Sequence, residues 1–312
     1  MALAPNQKKV LPNHEGGELR IEDFGRVRML TWDRPQRLNA WNDQAYADTT
    51  DAIIDAAVDP SVAVLLVTGA GRAFTSGGDT TESKADSGDW DDIGAEGGVG
   101  ARHVGKHGFV GLIDQAAAFP KPLLCAVNGI TVGGGTALLG LADLVLMSTE
   151  ARICAPFPKM GVSPEGGLTF TFPQLMGRSN AMWALLSGEW LSAEDCYRTG
   201  LAWRLCQPED LIEDALAHAQ ILANLPLAVL IETKRLIREP FKHQVADARE
   251  REVDRFRQLL NTEASREGLL AHQSRATPDY PVIDEKYPVT TTVLVNERVS
   301  RWRDNWEKYR SK

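Results

Sequence analysis

Three glycine-rich segments carry the residues of this chain that best suit chemistry. The first, Gly71-Arg72-Ala73-Phe74-Thr75-Ser76-Gly77-Gly78-Asp79, directly follows an apolar run, Val62 to Thr68. The second, Ala126-Val127-Asn128-Gly129-Ile130-Thr131-Val132-Gly133-Gly134-Gly135, reads as a strand turning into a helix. The third, Gly161-Val162-Ser163-Pro164-Glu165-Gly166-Gly167, holds one carboxylate, Glu165. Glycines at a strand end let the backbone come close to a ligand and turn its N–H groups outward. A helix that starts at such a turn adds its positive end. Two such turns together can hold one developing oxyanion. Each segment also has a plain structural reading. The GGG run can pack a helix tightly on a sheet, Asp79 reads as the N-cap of a following helix, and Pro164-Glu165-Gly166 is good turn sequence. Nucleotide motifs are missing: no Lys-Ser/Thr follows GGG and no GxGxxG occurs. Ser76 and Ser163 lack the GxSxG elbow, so a hydrolase triad has little support.

The elements that must position these segments follow from apolar patterning. Leu19 to Trp32 reads as a hairpin around Phe24-Gly25. Asn39 to Val58 reads as a helix, stopped by Asp59-Pro60. Val62 to Thr68 and Leu123 to Val127 are near-continuous apolar runs, expected for strands buried on both faces. Gly133 to Leu141 reads as a short helix and Leu144 to Met147 as a third strand. The alternation implies an α/β core with no boundary before about residue 205. Beyond Pro208, Leu211 to Leu225, Leu227 to Arg238 and Val245 to Leu260 read as helices. Ser83 to Gly108 reads as a loop containing His103 and His107. The tail places Val299, Trp302, Trp306 and Tyr309 along one helical stripe.

Composition narrows the function classes. Of 312 residues, 43% are hydrophobic and 24% charged, enough for a sizeable core. A net charge of −8 argues against an electrostatic grip on nucleic acid or anionic lipid. Cys125, Cys154, Cys196 and Cys206 are scattered without a CxxC pair or a nearby histidine, which points to free thiols in a reducing cytoplasm and to no metal site. No apolar h-region opens the chain, and no apolar run approaches the roughly 20 residues of a membrane helix.

In their order and spacing the three segments resemble the enoyl-CoA hydratase/isomerase (crotonase) family. The resemblance runs from about Leu19 to Arg275. It includes Arg34-Pro35-Gln36-Arg37-Leu38-Asn39-Ala40, Gly177-Arg178, Leu186-Ser187-Gly188-Glu189, Ser192-Ala193-Glu194-Asp195, Gly200-Leu201 and Pro226-Leu227-Ala228. It implies an α/β spiral of ββα units over residues 18–205 and a C-terminal helical trimerisation region over 206–277, followed by an extension over 278–312. It also implies a homotrimer or hexamer, an acyl-coenzyme A thioester as substrate, and no cofactor beyond the coenzyme A of that substrate.

Carried over position by position, the resemblance puts an oxyanion hole on the backbone N–H groups of Ser76 and Gly134. It puts substrate contacts at Arg37, Ala73, Gly78, Ala137, Phe157, His272 and Arg275. Hydratases of this family use two glutamates, which would align with Ala137 and Phe157, and both are replaced by apolar groups. Adding water needs a base and a proton donor, and these side chains supply neither. Glu165 aligns with the carboxylate of isomerases and other non-hydratase members. The expected reaction is therefore a double-bond shift in an enoyl-coenzyme A, with an apolar wall raising the pKa of Glu165. The alternatives are hydrolysis, decarboxylation, dehalogenation or weak hydration on the same thioester, or a binding protein without activity.

Overall fold

The computed structural model describes residues 18–79 and 108–287, together with the backbone of a short strand, β1 (Gln7–Lys8). Strands β2 (Leu19–Phe24) and β3 (Val27–Trp32) form the expected hairpin, with Gly25 in the left-handed region at its turn. β3 pairs in parallel with β4 (Val64–Gly69), β4 with β6 (Leu123–Val127), β6 with β8 (Leu144–Ser148), and β8 with β11 (Arg204–Cys206). The seven strands run in the order β1-β2-β3-β4-β6-β8-β11.

The uninterrupted apolar runs have a direct cause, since both faces of the sheet are covered. Successive side chains of a strand point to opposite faces. On β4, Leu65 and Val67 enter one apolar cluster while Val64 and Leu66 enter another. On β6, Leu123, Cys125 and Val127 face the first cluster, and Leu124 and Ala126 the second. The first cluster is completed by α1 (Asp43–Val58), α2 (Phe109–Ala118) and α3 (Gly134–Leu141). The second is completed by α7 (Leu211–Ala223), through Leu211, Ala215, Leu216, Ala219 and Ala223. A helix from beyond position 205 therefore closes the back of the sheet.

A smaller sheet, ordered β10-β9-β7-β5, is built from strands that each follow a long one: β5 (Ala73–Thr75) after β4, β7 (Ile130–Val132) after β6, and β9 (Arg152–Cys154) after β8. β10 (Leu191–Ser192) pairs antiparallel to β9. A helix follows each pair, namely α2, α3 and α4 (Leu168–Met176). In this ββα repeat the first two glycine-rich segments lie at the short strands β5 and β7, and the third precedes α4, after the 3-10 turn Phe157–Met160 that follows β9.

The C-terminal helices are α8 (Leu227–Arg238), α9 (Lys242–Leu260), α10 (Glu263–Ser274) and α11 (Tyr280–Lys286). α8 is pinned to the sheet by Asp143, which accepts from buried Lys234 at 2.7 Å and from Arg238 at 2.8 Å. α1 begins four residues later than its apolar pattern suggests. Leu38 and Asn39 lie in the left-handed region, which no helix tolerates, and Asn42 is the N-cap, accepting from the Ala45 N–H at 2.8 Å. No single described helix is long and apolar enough to cross a membrane. The loop with His103 and His107 and the stripe from Val299 to Tyr309 lie outside the described residues.

Candidate active site

The first two glycine turns abut. Gly77 has φ +83°, and a Cβ there would lie 2.9 Å from the Val132 carbonyl and 3.5 Å from the Gly134 nitrogen. Gly134 opens α3, so its N–H has no partner within the helix. A Cβ on Gly134 would meet the rings of Phe109 at 2.7 Å and Trp41 at 3.1 Å, and one on Gly135 would meet Thr75 at 2.5 Å. At Gly134 and Gly135 only bare backbone fits, Gly133 is held by its positive φ rather than by crowding, and the helix N-terminus abuts the neighbouring turn.

The segment from Ser76 to Asp79 is fixed by main-chain pairing with the stretch from Arg37 to Trp41. The Ser76 N–H donates to the Leu38 carbonyl at 2.9 Å, the Trp41 N–H to the Gly77 carbonyl at 2.8 Å, and the Asp79 N–H to the Trp41 carbonyl at 2.9 Å. This corrects the expectation for Ser76, whose N–H is already spent on Leu38. Because the Gly77 carbonyl and the Asp79 N–H both face Trp41, the Gly78 N–H points the other way, and it has no partner among the described residues. Gly78, expected as a general substrate contact, follows Gly77, which abuts the start of α3 at Gly134. Asp79, read as a helix cap, has its carboxylate 2.8 Å from buried Arg34, which also holds Glu18 at 2.7 Å and donates to the Ala40 carbonyl. The helix that Asp79 would cap lies outside the described residues.

Glu165 stands on the third turn, between Pro164 and two left-handed glycines, Gly166 and Gly167. One Phe109 ring ties this turn to the second: its Cε2 lies against Gly134 and its Cζ against Gly166, 3.3 Å from where a Cβ would sit. Ala137 touches Gly166 from the helix side. Trp41, Tyr46, Phe109, Ala137 and Phe157 all belong to the same buried apolar cluster. Burial pushes the Glu165 carboxyl up to about 8, and the nearby charge of Glu252 adds to the rise. The Tyr46 hydroxyl is pushed up as well, by burial first and then by the charge of Glu165. Glu165 is therefore a half-buried carboxyl, on a turn packed against Phe109, whose proton affinity is raised.

The remaining expected contacts are spread out. Ala73 is buried in β5, its carbonyl accepting from Asn39 at 2.7 Å and Asn128 at 3.0 Å. Arg37 is exposed on a 3-10 turn, its carbonyl 3.4 Å from the Ser76 hydroxyl. His272 and Arg275 are exposed at the end of α10, and among the described residues neither side chain has a hydrogen bond or ion pair. Phe157 and Ala137 are buried, as walls rather than polar contacts. Residue types alone did not reveal Trp41, Tyr46, Phe109 or Glu252; only the pairing of Trp41 with the Gly77–Asp79 segment has a sequence signal, since it ends the Arg34–Ala40 motif.

All four cysteines are buried and their thiols pushed up, Cys154 and Cys206 to about 11 and Cys196 to about 12, so none is an activated nucleophile. Among the described residues no group of three acidic, histidine or cysteine side chains is placed to hold a metal ion.

The structure thus joins parallel ββα repeats, two abutting glycine turns and a half-buried carboxyl on a third turn. The chain belongs to the enoyl-CoA hydratase/isomerase family, whose model matches residues 24–281. It is 31% identical over 255 residues to the 1,2-epoxyphenylacetyl-CoA isomerase of Escherichia coli (strain K12), covering 81% of this chain and 94% of that one. It is 31% identical to enoyl-CoA delta isomerase 2 of Rattus norvegicus, covering 81% of this chain and 60% of the relative. Among solved structures, an enoyl-CoA hydratase from Mycobacterium marinum is 47% identical with a TM-score of 0.64, covering 72% of this chain and all of that one. The fold is thus that of the crotonase-type acyl-CoA enzymes, among whose members both isomerases and hydratases are similar to this chain.

Proposed function

We propose that the protein is an enoyl-CoA isomerase, acting through an enolate held by the backbone N–H groups of Gly78 and Gly134. The observation that carries this reading is Glu165, a half-buried carboxyl of raised proton affinity whose turn packs on the same Phe109 ring as Gly134. With a 3-enoyl thioester, the Glu165 carboxylate takes a proton from C2. The C2–H electrons form a C1=C2 bond and push the carbonyl pair onto the thioester oxygen, giving a dienolate. As this collapses the carbonyl re-forms, the C1=C2 pair becomes the C2=C3 bond and the C3=C4 pair takes the proton at C4. Negative charge built on the thioester oxygen is met by two preformed donors, worth roughly 3–4 kcal/mol each by analogy with other oxyanion holes. Glu165 then returns the proton to C4, so no atom is gained or lost. Coenzyme A enters and leaves with the substrate, and no other cofactor is needed.

Hydration is the second reading, favoured by the similarity to the Mycobacterium marinum hydratase. The site argues against it, because Ala137 and Phe157 put buried apolar groups where a second carboxylate would have to stand. A closed trimer or hexamer is also part of the proposal. It is supported by exposed Trp183, Leu186, Trp203, Leu236, Ile237 and Phe241, a large apolar surface for a free monomer.

Glu165→Gln tests the isomerase reading. With a panel of 3-enoyl thioesters in deuterated water, the variant should lose both double-bond migration and deuterium uptake at C2. The loss should be about 10²- to 10⁴-fold in kcat with KM little changed, since removing the base leaves thioester binding intact. Full exchange by the variant would rule Glu165 out as the base.

A further inference from the structure

We propose that Glu252, on α9, is a positioning residue for Glu165, holding from the C-terminal helical region the turn on which the base stands. This inference rests on Glu165 being the base.

The geometry is that of a helix cap supplied from a distance. The N-cap of α4 is Gly167, which has no side chain to offer the free N–H groups of the first turn. Glu252 supplies the missing acceptors. One carboxylate oxygen accepts from the Gly167 N–H at 2.5 Å, and the other accepts from the Thr169 N–H at 2.7 Å and the Thr169 hydroxyl at 2.5 Å. Both oxygens are engaged, and the residue is only 4% exposed. A buried anion at a helix N-terminus is favourably placed against the helix dipole. The turn gains a fixed register two residues beyond Glu165, where left-handed Gly166 and Gly167 would otherwise leave the backbone loose.

α9 holds the turn by a second contact. The Arg249 side chain packs over Gly167, with Cγ 3.2 Å from where a Cβ would stand, and its guanidinium pairs with Asp114 on α2. The helix that carries Glu252 is thereby tied to the helix that carries Phe109, the ring shared by Gly134 and Gly166. Among the described residues, the titratable groups electrostatically coupled to Glu165 are Glu252 on α9 and Tyr46 on α1, which Asp43 also affects; next to Glu252 stands Arg249, whose guanidinium pairs with Asp114 on α2. Of these, Glu252 is the one whose charge opposes ionisation of Glu165. Glu252 thus acts twice on the base without touching substrate, by fixing its turn and by helping to hold its proton affinity near working pH.

The experiment compares wild type, Glu252→Gln, Glu252→Asp, Glu165→Gln and the Glu165→Gln/Glu252→Gln double variant. The substrate is whichever 3-enoyl thioester of a short, medium and aromatic set the wild type isomerises. Glu252→Gln should lower kcat by roughly 10- to 100-fold, the scale of an ångström-size misplacement of a catalytic group, with KM within about twofold of wild type. The acid limb of its kcat/KM profile should move to lower pH, because a repelling charge beside Glu165 is gone. A residue that only stabilised the fold would move neither the limb nor kcat at unchanged KM. Glu252→Asp keeps the charge and should restore the position of the limb with part of the rate. In the Glu165→Gln background, Glu252→Gln should change kcat no further. A folded Glu252→Gln with wild-type kcat and pH profile overturns the inference while Glu165→Gln remains inactive. An active Glu165→Gln instead overturns the base on which the inference rests. Should Glu252→Gln not fold, Glu252→Asp decides: at least a fivefold loss of kcat at constant KM supports the role, and wild-type kcat refutes it.

Discussion

If Glu165 is a carboxyl kept out of water, it must weaken the fold whenever it is ionised, and Glu165→Gln should remove that cost. Below about pH 4.5 the carboxyl is neutral in both the folded and the unfolded chain, so nothing is lost. As pH rises above 4.5 the unfolded chain ionises while the folded one keeps its proton, and stability falls until both are ionised above about 8. At about 1.4 kcal/mol per tenfold difference in proton affinity, the span from 4.5 to about 8 gives an upper figure near 5 kcal/mol. The residue keeps part of its surface open, so screening leaves roughly 2–3 kcal/mol as a working value. The measurement is urea unfolding of wild type and Glu165→Gln at fixed protein concentration between pH 5 and pH 9. Fixed concentration matters because assembly adds its own stability. The glutamine variant should match or fall slightly below wild type at pH 5 and gain on it steadily to pH 9. Any constant packing difference between amide and acid cancels in that comparison. A difference that stays flat across the range would show that the Glu165 carboxyl is solvated, and the case for a tuned base would fail with it.

Three further outcomes follow from the same geometry. Gly134→Ala puts a methyl group against Phe109 and Trp41, so it should cost about 1–3 kcal/mol in unfolding and abolish most turnover by shifting the Gly134 N–H. Asp79→Ala leaves buried Arg34 without its 2.8 Å partner; stability should drop by about 3 kcal/mol in denaturant titration, and kcat should fall as the Gly78 N–H loses its register. Crotonyl-coenzyme A, incubated with enzyme and followed at the absorbance of the conjugated thioester, should hydrate far more slowly than the tens per second of proficient enzymes; a rate in that range would favour the hydratase reading.

Much of the fold was legible because its sheet is buried on both faces. Val62 to Thr68 and Leu123 to Val127 read as strands from unbroken apolar runs, and the two clusters on either side of β4 and β6 are the physical reason. The smaller sheet was not legible, since β5, β7, β9 and β10 have two or three residues each, too few for a period to show. The sequence pattern places the start of α1 at Asn39, whereas the helix begins at Asp43, because Leu38 and Asn39 take left-handed backbone and Asn42 caps the helix. Glu165 stood out through the family resemblance, which aligns it with the carboxylate of isomerases; Pro164-Glu165-Gly166 by itself reads as an ordinary turn. Glu252 did not: it lies in a run of alternating charges, Ala248-Arg249-Glu250-Arg251-Glu252, where nothing marks which acid faces inward.

The oxyanion donors show a limit of another kind. Ser76 and Gly78 are two residues apart, so a regular extended segment would point both N–H groups to the same side. Left-handed Gly77, at φ +83°, breaks that alternation. The Leu38 carbonyl captures the Ser76 N–H, and Trp41 pairs with the Gly77 carbonyl and the Asp79 N–H, which leaves the Gly78 N–H facing away from Trp41. The buried Arg34–Asp79 pair locks this register from the outside. In the proposed reaction the Gly78 donor therefore depends on Arg34 and Trp41, which hold the segment on either side of it.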